Sequence, residues 1–357
     1  MMKIVSVVGA RPNFVKLAPV SRALRQEFEE VIVHTGQHYD YDMDRIFFDQ
    51  LGISSPNYHL GVGSASHGRQ TGDMLARIEE VLLQERPDVV MVFGDTNTTL
   101  AGALAAVKLH IPVVHIEAGL RSFDRRMPEE INRVLVDHCS TILSCPTSTA
   151  VENLRCEGIT KGVYLTGDVM ADVVMDSMAL SASSTVMRDL GLENRGYFLA
   201  TVHRAENTDD LSRLKQIVQA MAEIADILPV LFPCHPRTEK HLKDVGLWTW
   251  LSERVRVIRP VGYLEMLVLE SRAQKILTDS GGVQKEAYIL RVPCITLRDE
   301  TEWVETVDDG WNVLVGSNRE KIVKAARSFE PPENQSHAYG DGRASQRIRE
   351  LMHTLED

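Results

Sequence analysis

Residues 89–133 read VVMVFGDTNTTLAGALAAVKLHIPVVHIEAGLRSFDRRMPEEINR, and this stretch decides the fold. The apolar run Val89 to Phe93 stops at Gly94-Asp95, and a second run, Val113 to Ile116, stops at Glu117-Ala118-Gly119. Between them Thr98 to Leu109 is rich in Ala and Leu at helical spacing. Strand, helix, strand is a βαβ unit and implies a parallel sheet. Ligands of such sheets bind beyond the carboxyl ends of the strands. Asp95 and Glu117 stand there, one per strand. Pro128 suits a first helical turn, and Glu129 and Glu130 behind it suit the positive end of the helix dipole. Taken singly, each acid is an ordinary cap or a solvated loop residue. Three acid-bearing loops on one sheet edge are expected to face a common cleft. Crowded carboxylates have pKa values pushed apart, which lets one site hold both an acid and a base.

The same alternation extends in both directions. Lys3 to Val8 is a strand ending at Gly9-Ala10-Arg11-Pro12, and an amphipathic stretch runs from Asn13 to about Phe28. A glycine turn opening a helix is a phosphate-binding geometry. Arg11 and Lys16 are placed to make charge-assisted bonds to a diphosphate. The turn is not GxGxxG, so it implies no NAD. Val31 to Thr35 is a second strand; helices are expected over Tyr41 to Leu51 and His67 to Glu85. Around Ala171 to Glu193 the alternation lapses, and the small, polar run Leu180 to Thr185 (LSASST) within it suggests a crossover or hinge.

Alternation then restarts. Tyr197 to Thr201 ends at His203-Arg204-Ala205-Glu206, and Ile276-Leu277-Thr278 reaches Asp279-Ser280-Gly281-Gly282. Gly281 and Gly282 leave room for close approach, and the N–H groups of the following helix suit a diphosphate. Glu286, one turn on, is placed to accept from both hydroxyls of a ribose. His203 rises above the other histidines because it shares a strand-end loop with Arg204 and Glu206. The expected fold is α/β, with two Rossmann-like doubly wound domains and an interdomain cleft. The expected boundaries are 1–170, 171–343 and a terminal segment, 344–357.

At 357 residues the chain is too long for one ordinary core. Hydrophobic content of 44% and charged content of 25% are those of a soluble globular protein. A net charge of −11 argues against a general nucleic-acid binder. No apolar run approaches the ~20 residues of a membrane span, and MMKIVSVVGARP has no signal-peptide layout. A cytoplasmic protein is expected. The five cysteines show no CxxC spacing, so no metal site is expected.

Taken together, several motifs resemble the non-hydrolysing UDP-N-acetylglucosamine 2-epimerases over nearly the whole chain. They are Gly9-Ala10-Arg11-Pro12, Gly94-Asp95-Thr96-Asn97, His115-Ile116-Glu117-Ala118-Gly119-Leu120-Arg121, Pro128-Glu129-Glu130-Ile131-Asn132-Arg133, His203-Arg204 and Thr278-Asp279-Ser280-Gly281-Gly282-Val283-Gln284. The resemblance implies the two-domain fold of many nucleotide-sugar glycosyltransferases (GT-B type), with the last helix returning to the first domain. It implies inversion of C2 of a UDP-2-acetamido sugar, by elimination of UDP to a 2-acetamidoglucal and re-addition. It implies no cofactor and a homodimer. It assigns acid–base work to Asp95, Glu117, Glu129 and His203. For UDP it assigns Arg11, Lys16, Met266, Ser280, Gly281, Gly282 and Glu286, and around the sugar Arg121, Arg133, Arg204 and Trp303.

The chain departs from the family pattern at Asn13, Ala205 and Trp303, the last where the family has an arginine. These departures resemble a branch acting on UDP-2,3-diacetamido-2,3-dideoxyglucuronate. A UDP-sugar glycosyltransferase of the same fold is the alternative of another class. It has no use for three strand-end acids around C2.

Overall fold

The structure is a computed structural model and describes residues 1–36, 52–181 and 184–355, the side chains of Arg11 and Pro12 excepted. The helix expected over Tyr41 to Leu51 lies outside the described residues. The chain forms two compact units, Met1–Val173 with Tyr339–Asp357, and Val174–Ala338.

The first unit is built on a sheet of seven parallel strands: β1 (Lys3–Val8), β2 (Glu29–His34), β3 (Tyr58–His59), β4 (Val89–Phe93), β5 (Val113–Ile116), β6 (Ile142–Cys145) and β7 (Val163–Leu165). Their spatial order is β3-β2-β1-β4-β5-β6-β7. Alternate side chains of a strand point to opposite faces, and both faces here are covered. Ile4, Val8, Met91 and Phe93 pack with Phe14, Leu17, Ile348 and Met352. Val5, Val7, Val90 and Val92 pack with Met74, Ile78, Ala101 and Ala105. Burial on both faces explains why these strands read as continuous apolar runs. Helices Arg11–Leu24 and Ala344–Met352 therefore lie on one face, and helices His67–Glu85 and Asn97–Lys108 on the other. Asp172 accepts from the backbone N–H of Ala344 (3.0 Å) and of Ser345 (2.8 Å), which fixes the start of the final helix.

The second unit repeats the plan with six strands: β8 (Phe198–Thr201), β9 (Val230–Pro233), β10 (Arg256–Ile258), β11 (Lys275–Thr278), β12 (Cys294–Thr296) and β13 (Asn312–Leu314). Their order is β10-β9-β8-β11-β12-β13. Phe198 and Ala200 face one core and Leu199 the other.

One expectation needs correction. The stretch Ala171 to Glu193, read as a lapse, is helical at its start, within the helix Val169–Leu180. The short strands β3 and β13 and the helix Arg319–Ser328, which Asn318 caps, are additions to the expected elements. No helix among the described residues is long and apolar enough to cross a membrane.

Candidate active site

Each sheet has a switch point where the strand order reverses, and a crevice opens beyond the strand ends there. In the first unit it falls between β1 and β4; in the second, between β8 and β11. The loops after these four strands, with the first turns of the helices they open, carry Lys16, Asp95, His203 and Ser280-Gly281-Gly282. Glu117 follows β5, next to β4.

In the first unit the carboxylates do not stand alone. The Lys16 ammonium donates to Glu117 Oε2, with both side chains nearly buried. Lys16, the expected partner of a diphosphate, is ion-paired with Glu117. Gly94, at φ +67°, makes this possible: a Cβ there would lie 3.1 Å from Lys16 Nζ and 3.5 Å from Glu117 Oε2. Glu117 itself has φ +71°, a strained conformation for a residue with a side chain. Asp95 Oδ2 accepts from Arg133 Nη2 at 2.5 Å, and Arg133 Nη1 reaches Glu130 Oε2 at 3.0 Å. Arg133, expected at the sugar, thus bridges two acids. Asn13, one of the departures from the family pattern, accepts from Ala10 N–H (3.2 Å) and donates to Phe93 O (2.8 Å). It ties the β1 turn to the end of β4. The side chain of Arg11 lies outside the described residues.

Glu129 and Glu130 separate cleanly. Glu130 is 3% exposed and accepts from the Ser122 N–H and hydroxyl and the Phe123 N–H, all at 2.9 Å. Burial alone would raise its carboxyl, but these donors and Arg133 hold it below the usual glutamate value. Glu129 is exposed on the first helical turn.

Arg121 requires a correction. Its side chain is 1% exposed, and its donors go to Asp137 (2.7 Å) and to both oxygens of Glu157 (2.7 and 2.8 Å). With a further bond to Leu120 O (2.7 Å), four of its five N–H donors are engaged within the protein.

In the second unit Asp279 organises the switch point. It is fully buried and accepts from the backbone N–H of His203 (3.1 Å) and of Arg204 (3.1 Å) and from Asn207 Nδ2 (3.1 Å). The His203 ring is left about half exposed, with Nε2 3.9 Å from Asp279 Oδ1. Ser280 caps the helix Gly281–Ile289.

The two glycines differ. A Cβ on Gly281 would run into Glu302 Oε1 and come within 3.1 Å of Trp303 Nε1, whereas Gly282 is exposed and open on that side. Gly281 therefore admits the protein's own 301–303 loop, not an outside group. Glu302 joins Arg298 (2.7 Å) and Arg204 (3.6 Å). Burial would raise its carboxyl, but Arg298 and Arg204 hold it low. Trp303 lies under Lys285, whose Nζ is 4.0 Å from the ring centroid. Glu286 is buried, and burial raises its carboxyl against the opposing pull of Tyr263 and Lys285. Met266 packs partly buried against the apolar cluster of Leu269 and Ala287.

Sequence reasoning missed His115, Asp137, Asp279 and Glu302. A histidine inside the apolar run VVHI and an aspartate directly after β11 were the available signals.

The comparisons with known proteins agree with one another. The sequence profile of the UDP-N-acetylglucosamine 2-epimerase family matches residues 22–353. The UDP-N-acetylglucosamine 2-epimerase homolog of Methanococcus maripaludis is 55% identical over 359 residues, spanning 99% of this chain and 100% of that protein. The UDP-2,3-diacetamido-2,3-dideoxy-D-glucuronate 2-epimerase of Pseudomonas aeruginosa is 51% identical over 360 residues, spanning 99% and 100%. The crystal structure of Methanocaldococcus jannaschii UDP-GlcNAc 2-epimerase in complex with UDP-GlcNAc and UDP has a TM-score of 0.84 at 48% identity, over 99% of this chain and 100% of that one. The profile match and these identities over nearly full length make this chain a member of the UDP-N-acetylglucosamine 2-epimerase family.

Proposed function

We propose that the protein inverts C2 of a UDP-2-acetamido sugar, converting UDP-N-acetylglucosamine to UDP-N-acetylmannosamine without hydrolysis. A base takes the C2 proton as the C1–O bond to UDP breaks, giving a 2-acetamidoglucal and UDP. UDP then adds back to C1 while a proton is delivered to the opposite face of C2. The observation that carries this reading is a pair of strand-end carboxylates each held by a cation, Asp95 by Arg133 and Glu117 by Lys16. Such groups transfer protons without a metal or a nucleophile. In this reading Asp95, Glu117, Glu129 and His203 do the acid–base work. Arg11, Met266, Ser280, Gly282 and Glu286 serve UDP, and Arg204 serves the sugar. A homodimer and a cytoplasmic location belong to the same proposal; Phe123, Met127 and Leu135 offer exposed apolar surface for a second copy.

Turnover of UDP-N-acetylglucosamine in D2O tests the reading. Deuterium is expected at C2 of the product, read by NMR, with no acceptor present. Full retention of the original hydrogen removes the elimination mechanism, and release of free sugar favours a hydrolase.

Trp303 supports a second substrate, a UDP-2,3-diacetamido-2,3-dideoxyglucuronate. An arginine at this position offers a charged fork of donors; an indole offers a flat apolar face and one N–H. The face suits a second acetamido methyl. Trp303→Ala is expected to change the ratio of kcat/KM between the two UDP-sugars. An unchanged ratio, with both values lowered together, assigns Trp303 to packing against Lys285.

A further inference from the structure

We infer that the buried His115–Asp137 pair is a positioning device that sets the three acid-bearing loops of the first unit relative to one another, with His115 a positioning residue for Asp95. This rests on the reading of Asp95 and Glu117 as acid–base groups.

His115 is the third residue of β5, and its side chain is fully buried. Nε2 lies 2.7 Å from the Gly94 carbonyl oxygen, and Nδ1 lies 2.6 Å from Asp137 Oδ1. The other oxygen of Asp137 accepts from Gly119 N–H (3.1 Å) and from Arg121 Nη1 (2.7 Å). Asp137 is therefore an acceptor on every side, and a carbonyl can only accept. Both ring nitrogens of His115 thus face acceptors, one on the loop after β4 and one on Asp137.

Each contact lands on a loop that bears an acid. The Gly94 carbonyl belongs to the peptide bond that leads into Asp95. Gly94 is held through both of its peptide groups, because its N–H donates to Ile116 O at 3.0 Å. Gly119 closes the turn that begins at Glu117, and both have positive φ, +80° and +71°. Such a turn persists only where its surroundings over-determine it, and Asp137 supplies one of the constraints. Asp137 itself lies on the helix Pro128–Cys139, whose first turn carries Glu129 and whose second carries Arg133, the partner of Asp95. One imidazole and one carboxylate thus join the loops after β4 and β5 to the helix that follows. Neither group reaches the surface, so neither touches substrate.

The consequence is geometric. Displacement of a catalytic group by about 1 Å costs about 10²-fold in rate. His115→Ala is expected to lower kcat for C2 inversion by up to this factor per folded molecule, while KM and the Kd for UDP stay near those of the parent. Hydrogen exchange followed by mass spectrometry should quicken in peptides covering residues 94–96 and 117–121 and stay unchanged in the second unit. His115→Gln, whose amide can still donate toward Gly94 O, should recover more activity than His115→Ala.

Unchanged kcat, exchange rising evenly through the unit, or UDP affinity falling in step with kcat would each overturn the inference. If His115→Ala does not fold, Asp137→Asn takes its place under the same criteria, since it keeps the volume and removes one acceptor. The exchange readout needs no substrate. A parent enzyme that shows no C2 inversion therefore defeats the proposed function, while the exchange pattern still decides the positioning role.

Discussion

Asp95→Asn lowers kcat for C2 inversion by about 10²- to 10³-fold, the usual loss when general acid–base help is removed, and leaves UDP binding close to that of the parent. Asp95 follows the last residues of β4 and is held by Arg133 Nη2 at 2.5 Å. Asparagine has the same size and keeps an oxygen for that guanidinium, so the loop should hold its shape. What it loses is the capacity to take or give a proton. Arg133 also keeps its bond to Glu130, so no buried cation is stranded. Steady-state kinetics with UDP-N-acetylglucosamine measure the first effect and calorimetry with UDP the second. Unimpaired turnover in Asp95→Asn would remove this residue from the chemistry. A parallel loss of UDP affinity would recast it as a scaffold residue.

The adjacent glutamates should then part company. Glu130→Ala is expected to destabilise the protein by about 3 kcal/mol, because it strands buried donors and a paired guanidinium. The donors are the Ser122 N–H and hydroxyl, the Phe123 N–H and Arg133. Glu129→Gln should leave stability unchanged and lower kcat instead, since Glu129 is exposed at the helix start. The pH dependence follows from the sign of the Glu130 shift. Its folded pKa is depressed, so its contribution is complete above the ordinary glutamate value and is lost as pH falls through the depressed one. Thermal denaturation across the acid range should show a steeper limb in the parent than in Glu130→Gln. Equal limbs would mean that Glu130 is not held ionised, and a Glu129 variant as unstable as Glu130→Ala would reverse the assignment.

Much of the site was legible because its residues follow directly from strand ends. The runs VVMVF and VVHI mark β4 and β5, and a parallel strand must deliver the next residues to the carboxyl edge. Asp95 and Glu117 are placed by that alone. His67–Glu85 was readable to the residue because its apolar positions recur at helical spacing and Pro87 stops it. The strands β3 and β13, of two and three residues, were not read.

The sequence by itself determined the alternation of strands and helices, the two-domain plan and the strand-end acids, because periodicity and chain direction are local properties. Tertiary structure decided which strands are neighbours, and so where the two switch points fall. It also decided how the charges are used. Lys16 and Glu117 are 101 residues apart along the chain, and no local pattern records that they pair. Arg121 looked available for a sugar until Asp137 and Glu157 closed on it, and Gly281 looked open until Glu302 and Trp303 filled its side. Glu129 and Glu130 are chemically identical neighbours. One helical position points to solvent and the other beneath the 122–123 loop, and burial alone makes one a candidate for proton transfer and the other a clamp.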